Sequence, residues 1–275
     1  MVHQMPLPKH FMTSPTHSTH SKLTHRYAQL FQNPRPVDPL SLSVSESTKV
    51  VVFSDCHLDR EFNQRQFDQF VQVISNADQV VMNGDFWIDS GISFDDFMKT
   101  DWVKLFPYLK EKNTQYVFGN HDMPAHSDQR IFQFCTAAGF ALKLQAGDLR
   151  LHIEHGHLLS KGLVKIVLRV FENHPKALFF ATWLVGIFAE WAMANEKRAT
   201  KQGKSRHNSL LKKLNSSFKK ERYSVSSSEE YFVMGHTHVQ EFDEAEKYIN
   251  LGRTHQGDFG YLTIWKNHFQ LVADS

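Results

Sequence analysis

KVVVFSDCH, residues 49–57, is the stretch that decides the fold, because a short β-branched apolar run ends directly in Asp55 and His57. Four more apolar runs end in polar loops in the same way, and each has the length of a buried strand. They are QVVMNG (79–84), QYVFGN (115–120), LRLHIEHG (149–156) and YFVMGH (231–236). The repeated unit predicts a sheet whose strand ends carry the chemistry of the protein.

Stretches with helical spacing lie between the first three of these strands. They cover residues 62–74 and 94–109, and an alternation of strands and helices indicates an α/β sheet. Near the C-terminus, KYINLG (247–252) and YLTIWKNHFQLV (261–272) predict two further strands, as a closing hairpin on a second sheet.

Composition sets the domain organisation. The first 47 residues hold six of the nine prolines and no sustained apolar periodicity, which predicts a flexible, disordered leader before a domain at 48–275.

A net charge of +2 argues against a protein that coats nucleic acid. Two cysteines and the lack of a basic start followed by an apolar run favour the cytoplasm.

Residues 161–222 interrupt the strand rhythm and are predicted to be a helical insertion. The segment 163–171 has one apolar face, and 177–193 carries a stripe of aromatic and aliphatic side chains that Glu190 interrupts. Its 17 residues are too few for a bilayer span, which needs about 20. Residues 196–222 then contain ten Lys and Arg against two Glu. This basic run is interpreted as a solvated face, an RNA contact or a substrate-binding segment.

Metal-ligand residue types occupy the loop after each of the five strands. The motifs are D-x-H (55–57), G-D (84–85), G-N-H-D (119–122), H-G-H (155–157) and G-H-T-H (235–238). Carboxylate, imidazole and amide ligands without thiolate suit Mn, Fe or Zn, and the number of ligands implies two ions. The carboxyl ends of sheet strands are where α/β proteins form their sites.

In this order the five motifs resemble the signature of the calcineurin-like metallophosphoesterases. The resemblance implies an α/β fold with a four-layer αββα sandwich and hydrolysis of phosphoric esters or diphosphates. It also implies that His121 acts on the leaving oxygen and that Asp122 orients the imidazole of His121. The metal ligands that it implies are Asp55, His57 and His238 for one ion, Asp85 as the bridge, and Asn120, His155 and His236 for the second.

The insertion resembles the helical lid of the UDP-2,3-diacylglucosamine diphosphatases of lipid A synthesis. This resemblance implies a lipid-linked nucleotide sugar as substrate, two Mn²⁺ ions, UMP as a product, and a peripheral position at the cytoplasmic face of a bacterial inner membrane. Candidate substrate contacts are Arg198, Lys201, Lys204 and Arg206. His157 and Arg253 depart from the acids usual at their positions, and no role is assigned to them.

Two alternatives stay open. A soluble metallophosphoesterase would act on another nucleotide, a phosphoprotein or a phospholipid headgroup, because the predicted core is generic to phosphoesters. A non-catalytic scaffold would keep the fold as an interaction module, although every expected ligand is present. Nucleic acid is not an expected partner, since no recognised RNA module accompanies the basic run.

Overall fold

The computed structural model describes residues 38–88, 92–159, 208–224, 226–255 and 258–274. Within these ranges the chain forms a mixed α/β fold with two six-stranded sheets. The first sheet contains, in spatial order, β12 (His268–Asp274), β11 (Phe259–Trp265), β2 (Val50–Phe53), β3 (Gln79–Asn83), β4 (Gln115–Val117) and β5 (Ala137–Gly139). The second contains β1 (Leu40–Val44), β6 (Ala141–Ala146), β7 (Leu149–Glu154), β8 (Tyr231–Met234), β10 (Tyr248–Asn250) and β9 (Glu241–Asp243).

The five predicted motif strands are all present, as β2, β3, β4, β7 and β8. Strands β2 to β5 run parallel, so that the ends of β2, β3 and β4 lie along one edge of the first sheet. Strands β7 and β8 are parallel neighbours in the second sheet. The two sheets are joined where β3 and β7 end, because the amide of Asn83 donates to the carbonyl of Glu154 at 3.2 Å.

Alternation along β2 shows how one strand serves two cores. Val50 and Val52 belong to the core between the sheets, together with residues such as Ile153 of the second sheet. Val51 and Phe53 face the opposite way, into the core between the first sheet and its helices. All four side chains are almost fully buried, as expected for a strand covered on both faces.

Helices cover the outer face of the first sheet. Helix α1 (Gln64–Ser75) begins after Asn63, whose side chain accepts the N–H of Gln66, and it buries Phe70 and Ile74. The second predicted helical stretch is broken into α2 (Phe94–Phe97), a 3₁₀ turn (Asp101–Leu105) and α3 (Phe106–Glu111). Pro107 explains the last break, because proline has no N–H and fits only the first turn of a helix.

On the second sheet, α4 (Asn208–Glu221) covers the outer face. Phe218 of this helix packs against Phe232, Met234 and Tyr248 of β8 and β10. The order of helices, sheet, sheet and helix agrees with the predicted αββα sandwich. None of the described helices has the length and apolar character needed to cross a bilayer.

The structure corrects two predictions about the chain ends. Residues 40–44 were expected in the leader, but they form β1 and pair in parallel with β6. Leu40, Leu42 and Val44 alternate with serines and pack on the core between the sheets, which gives this short segment enough burial to be a strand. The rest of the predicted leader, residues 1–37, lies outside the described residues.

The two C-terminal strands were predicted as one hairpin on a second sheet, but they lie in different sheets. KYINLG forms β10 in the second sheet as expected, whereas YLTIWKNHFQLV forms a hairpin of its own that extends the first sheet. Strands β11 and β12 turn at Lys266 and Asn267, and β11 pairs antiparallel with β2. Both turn residues have positive φ, as a two-residue hairpin loop requires. Of the predicted insertion, residues 161–207 lie outside the described residues, so its two predicted helices and the candidate substrate contacts at 198–206 have no described position.

Candidate metal centre

The loops after the five motif strands are tied to one another by backbone hydrogen bonds. Asp55 donates its N–H to the carbonyl of Gly84 at 3.1 Å, and His57 donates to the carbonyl of Asp85 at 2.9 Å. Gly235 donates in the same way to the carbonyl of His155 at 3.2 Å. The N–H of His121 donates to Oδ1 of Asp85 at 2.9 Å and the N–H of His236 donates to Oδ2 of Asp55 at 3.0 Å, and these two bonds join the five loops into one cluster.

Five of the predicted ligands have backbone angles that side-chain-bearing residues rarely adopt. Their φ values are 53° at Asp55, 45° at His57, 53° at Asp85, 66° at His236 and 59° at His238. Each such residue costs of the order of 1–3 kcal/mol and persists only where its surroundings enforce it. Strain of this kind concentrates at functional sites, and here it coincides with the motif positions.

Two motif glycines permit the close approach of neighbouring loops. A Cβ at Gly119 would lie 2.1 Å from Oδ1 of Asp85 and 2.4 Å from its backbone nitrogen. A Cβ at Gly235 would lie 2.1 Å from Oδ2 of Asp55. Only glycine leaves room for the two carboxylates at these contacts.

The first ligand cluster contains Asp55, His57 and His238, whose ligand atoms all lie within 4.8 Å of one another. Nε2 of His238 is 3.0 Å from Oδ1 of Asp55 and 3.1 Å from Nε2 of His57. These are the three residues predicted to hold one ion.

A second cluster, defined by the same distance, contains Asp85, His155 and His236. Nε2 of His155 lies 3.1 Å from Oδ2 of Asp85 and 3.2 Å from Oδ1 of Asn120. Asp85 also belongs to a third group with His57 and His121, so its carboxylate lies between the first two clusters. The structure thus brings all seven predicted ligands together, and an oxygen and nitrogen donor set shared through one carboxylate fits two divalent cations.

The charges of the buried groups suit cation binding. Burial alone would raise the pKa of Asp55 and Asp85, but neighbouring imidazoles, above all His155, hold the pKa of both carboxyls well below the usual range. Burial lowers the pKa of His57, and burial with the nearby His155 lowers the pKa of His236 to about 3. These carboxylates are therefore ionised, and these two imidazoles neutral, at pH 7.

His155 differs from the other imidazoles of the site. Burial opposes its charge, yet Asp85 and Asp55 raise its pKa to about 10. Its Nδ1 lies 3.0 Å from the carbonyl oxygen of Asn83, which leaves Nε2 facing Asp85 and Asn120. A cation at Nε2 would compete with a proton for the same lone pair.

The predicted catalytic pair has two different environments. His121 is buried with its ring beside that of His57, at 5.1 Å between centroids, and its backbone N–H donates to Oδ1 of Asp85 at 2.9 Å. Asp122 instead accepts from the N–H of Phe86 at 2.7 Å and the N–H of Gly119 at 2.6 Å.

A third donor to Asp122 is the hydroxyl of Tyr116 on β4. The described partners of Asp122 hold the backbone of the loops with Asp85 and Asn120, and its role in orienting the imidazole of His121 stays a prediction. Sequence reasoning missed Tyr116 because nothing in a strand pattern marks an inward hydroxyl as a partner for a carboxylate six residues away.

The structure also places the two residues that were left without a role. His157 is buried beside His155 and His236, with ring centroids 5.6 and 6.5 Å away, and neither of its ring nitrogens has a hydrogen-bond partner among the described residues. Arg253 pairs with Asp258, from Nε to Oδ2, at 2.6 Å. This arginine therefore serves a local ion pair at the end of the second sheet.

Fold and site together form a sandwich with candidate metal-ligand clusters at its strand ends. Residues 48–240, more than half of the chain, match the family described as calcineurin-like phosphoesterase, and the chain belongs to this family. It is accordingly a metal-dependent phosphoester hydrolase, in a family that uses two metal ions. No curated protein matches the chain.

The solved structures that match the chain include phosphoesterases. Yfce, a phosphoesterase from E. coli, is 14% identical over 82% of this chain and 100% of its own, with a TM-score of 0.39. Vacuolar Protein Sorting 29 from Cryptosporidium parvum is 12% identical over 82% of this chain and 96% of its own, with a TM-score of 0.39. A predicted phosphoesterase from Streptococcus pneumoniae is 15% identical over 82% of this chain and 97% of its own, with a TM-score of 0.32.

Proposed function

We propose that this enzyme hydrolyses the diphosphate of UDP-2,3-diacylglucosamine and releases UMP and 2,3-diacylglucosamine 1-phosphate. The observation that carries the proposal is the position of the insertion, which leaves and rejoins the fold beside the ligand clusters. On the entry side, the turn His157–Leu159 directly follows His155. On the exit side, the ring of Phe218 in α4 lies 6.2 Å from the ring of His236.

The two ends of the insertion also contribute to one apolar cluster. Leu159, the last described residue before it, packs with Phe218 against the outer face of the second sheet. A segment anchored at both ends beside the ligand clusters is well placed to contact whatever is hydrolysed there. The substrate preference of a generic phosphoesterase core is set by such surroundings.

The sequence of the insertion matches the chemistry of this substrate. The apolar stretch 177–193 suits two acyl chains, and the basic stretch 197–206 suits a diphosphate and a nucleotide. Arg198, Lys201, Lys204 and Arg206 are the proposed phosphate contacts, because arginine and lysine are the usual partners of phosphate oxygens. The resemblance to the lid of the UDP-2,3-diacylglucosamine diphosphatases supports the same assignment.

In the proposed reaction, water attacks the α-phosphorus and the bond to the sugar phosphate breaks. Two divalent cations, proposed to be Mn²⁺ with Fe or Zn as alternatives, would supply Lewis acidity and an activated water. The clusters around Asp55 and His155 would hold them, with Asp85 shared. His121 would give a proton to the leaving phosphate oxygen, a role that its place beside Asp85 and His57 supports.

A diacylated substrate sets the proposed location of the enzyme. Two acyl chains keep such a molecule in a lipid surface, so we propose a peripheral enzyme at the cytoplasmic face of a bacterial inner membrane. The basic run would then face anionic headgroups. Each lysine or arginine near such a surface contributes about 1 kcal/mol to membrane binding.

A substrate comparison with purified protein and Mn²⁺ tests the proposal. We expect UMP from the diacylated UDP-sugar and much slower turnover of its deacylated form. Equal rates on both, or turnover of a simple phosphodiester alone, would replace the proposal by a phosphoesterase that acts on another nucleotide, a phosphoprotein or a phospholipid headgroup.

A matched pair of variants links the activity to the metal centre. Asp85→Asn removes the shared carboxylate and should abolish release of UMP. Asp101→Asn changes an exposed aspartate that pairs only with Lys104 in the described contacts, and it should leave the activity unchanged. Cellular function that survives Asp85→Asn would support a scaffold instead of an enzyme.

A further inference from the structure

The C-terminal half of α4 and the first residue of the 3₁₀ turn after it place four side chains on one face against the second sheet. Asn215, Phe218, Lys219 and Arg222 follow the helical spacing, and Asn215 is completely buried. Lys219 pairs with Glu241 and Asp243 on β9, and the guanidinium of Arg222 donates to the carbonyl of Lys247 at 3.0 Å. The last helix of the insertion is thereby fixed to the edge of this sheet.

Asn215 makes four hydrogen bonds with its side-chain amide. Its Oδ1 accepts from the hydroxyl of Thr237 at 2.7 Å and from the amide of Asn250 at 3.2 Å. Its Nδ2 donates to the carbonyl of Val239 at 3.2 Å and to the carboxylate of Glu241 at 2.8 Å. The full hydrogen-bonding capacity of a buried amide is therefore directed at the segment that follows β8.

Thr237 stands between His236 and His238, which belong to different ligand clusters. Both histidines have φ in the left-handed region, at 66° and 59°. The amide of Asn250 donates to the hydroxyl of Thr237 at 2.9 Å as well, and to the carbonyl of Gly235 at 3.1 Å. Asn215 and Asn250 thus hold this loop through the side chain of Thr237 and the carbonyl of Gly235.

We infer that Asn215 is a positioning residue for His236 and His238, so that the last helix of the insertion supports both halves of the metal centre. The inference rests on the proposed pair of metal ions. A loop with two left-handed residues keeps its conformation only while its surroundings enforce it, and the side chains that bond to this loop in the described structure include Asn215, Asn250 and Asp55. Loss of this support should weaken cation binding in both clusters.

Binding of Mn²⁺ to the metal-free full-length chain tests the inference without any substrate. Free Mn²⁺ is followed by its electron paramagnetic resonance signal, and thermal unfolding is measured in parallel. Asn215→Ala should weaken binding about tenfold, as is usual for groups that orient metal ligands. Ser217→Ala, an exposed change on the same helix, should bind like the wild type.

Two further variants keep the test decisive. Thr237→Val removes the same hydrogen bond from the opposite side and should weaken Mn²⁺ binding to a similar degree, even if Asn215→Ala does not fold. Asn215→Asp places a second carboxylate beside Glu241, and this variant should bind Mn²⁺ poorly. The double variant with Glu241→Gln restores a donor and acceptor pair at this contact and should recover part of the Mn²⁺ affinity.

The outcomes separate this inference from the proposed function. If the wild type binds Mn²⁺ and both Asn215→Ala and Thr237→Val bind it equally well, with at most a lower melting temperature, Asn215 is only a structural residue and the inference is wrong. If the wild type itself binds no Mn²⁺, the proposed metal centre fails first.

Discussion

Substitution of Gly119 by alanine is the perturbation whose effect the structure defines most sharply. The new Cβ would lie 2.1 Å from Oδ1 of Asp85, 2.4 Å from its nitrogen and 2.9 Å from its Cγ. Relief of the first contact to about 3 Å requires a shift of about 0.9 Å, whereas metal–ligand distances tolerate about 0.2 Å. The carboxylate cannot simply rotate away, because Oδ1 also accepts the N–H of His121 at 2.9 Å.

The expected result has two parts. Overpacking of this kind costs about 1–3 kcal/mol of unfolding free energy, to be measured by urea denaturation in the presence of EDTA. Displacement of the shared carboxylate should weaken Mn²⁺ binding by at least the tenfold to 100-fold seen when metal ligands are misoriented. Both effects come from the same contact and should appear together.

Gly139→Ala is the matched control. Its Cβ would lie 3.0 Å from Cγ of Leu40, a flexible side chain that can move, and β5 carries no predicted ligand. We expect a small change in stability and unchanged Mn²⁺ binding. Tight Mn²⁺ binding and full activity in Gly119→Ala would refute the claim that these two loops meet as described.

Three other predictions follow from the site. Tyr116→Phe removes a hydroxyl donor to Asp122, and burial together with the nearby Asp85 raises the pKa of this carboxyl to about 6. The substitution should lower the free energy of unfolding by about 1.5–3 kcal/mol at pH 8, where the carboxyl is charged, and by less at pH 5. Mn²⁺ affinity should rise about tenfold per pH unit from 6.5 to 8.5, because His155, with a pKa of about 10, must lose a proton to bind the cation. Charge reversal of Lys201 and Lys204 should raise KM for the UDP-sugar and leave hydrolysis of a small phosphodiester unchanged.

Each of these has a result that would contradict it. An equal loss of stability at both pH values would mean that the tyrosine does not stabilise a charged carboxyl. A flat Mn²⁺ affinity across the pH range would mean that His155 gives up no proton on binding. Equal loss of both activities in the lysine variant would mean that the basic run supports the fold instead of the substrate.

The motif strands could be predicted because each combines a β-branched run with a ligand at its end. That pattern is local, and it accounts for the convergence of the loops within each sheet, β2 to β4 in the first and β7 with β8 in the second, since parallel strands end at one edge of a sheet. Strand β1 was missed because Leu40, Leu42 and Val44 alternate over only five residues, directly after a stretch rich in proline. Its partner β6 lies about one hundred residues further along the chain.

The supporting contacts of the site could not be predicted, since they join residues without a shared pattern. Asn215 and Thr237 are 22 residues apart on different elements, and either would pass for a surface residue in the sequence alone. The carboxylate of Asp122 accepts from the N–H groups of Gly119 and Phe86, and no sequence pattern marks these contacts. Side-chain direction in a loop depends on the three-dimensional course of the backbone.

Anomalous diffraction from crystals grown with Mn²⁺ would locate the bound ions independently of activity. We expect two peaks about 3.5–4 Å apart, with Asp85 between them. One ion should be bound by Asp55, His57 and His238, and the other by Asn120, His155 and His236. A single peak, or peaks away from these side chains, would show that the seven residues do not form a two-metal site.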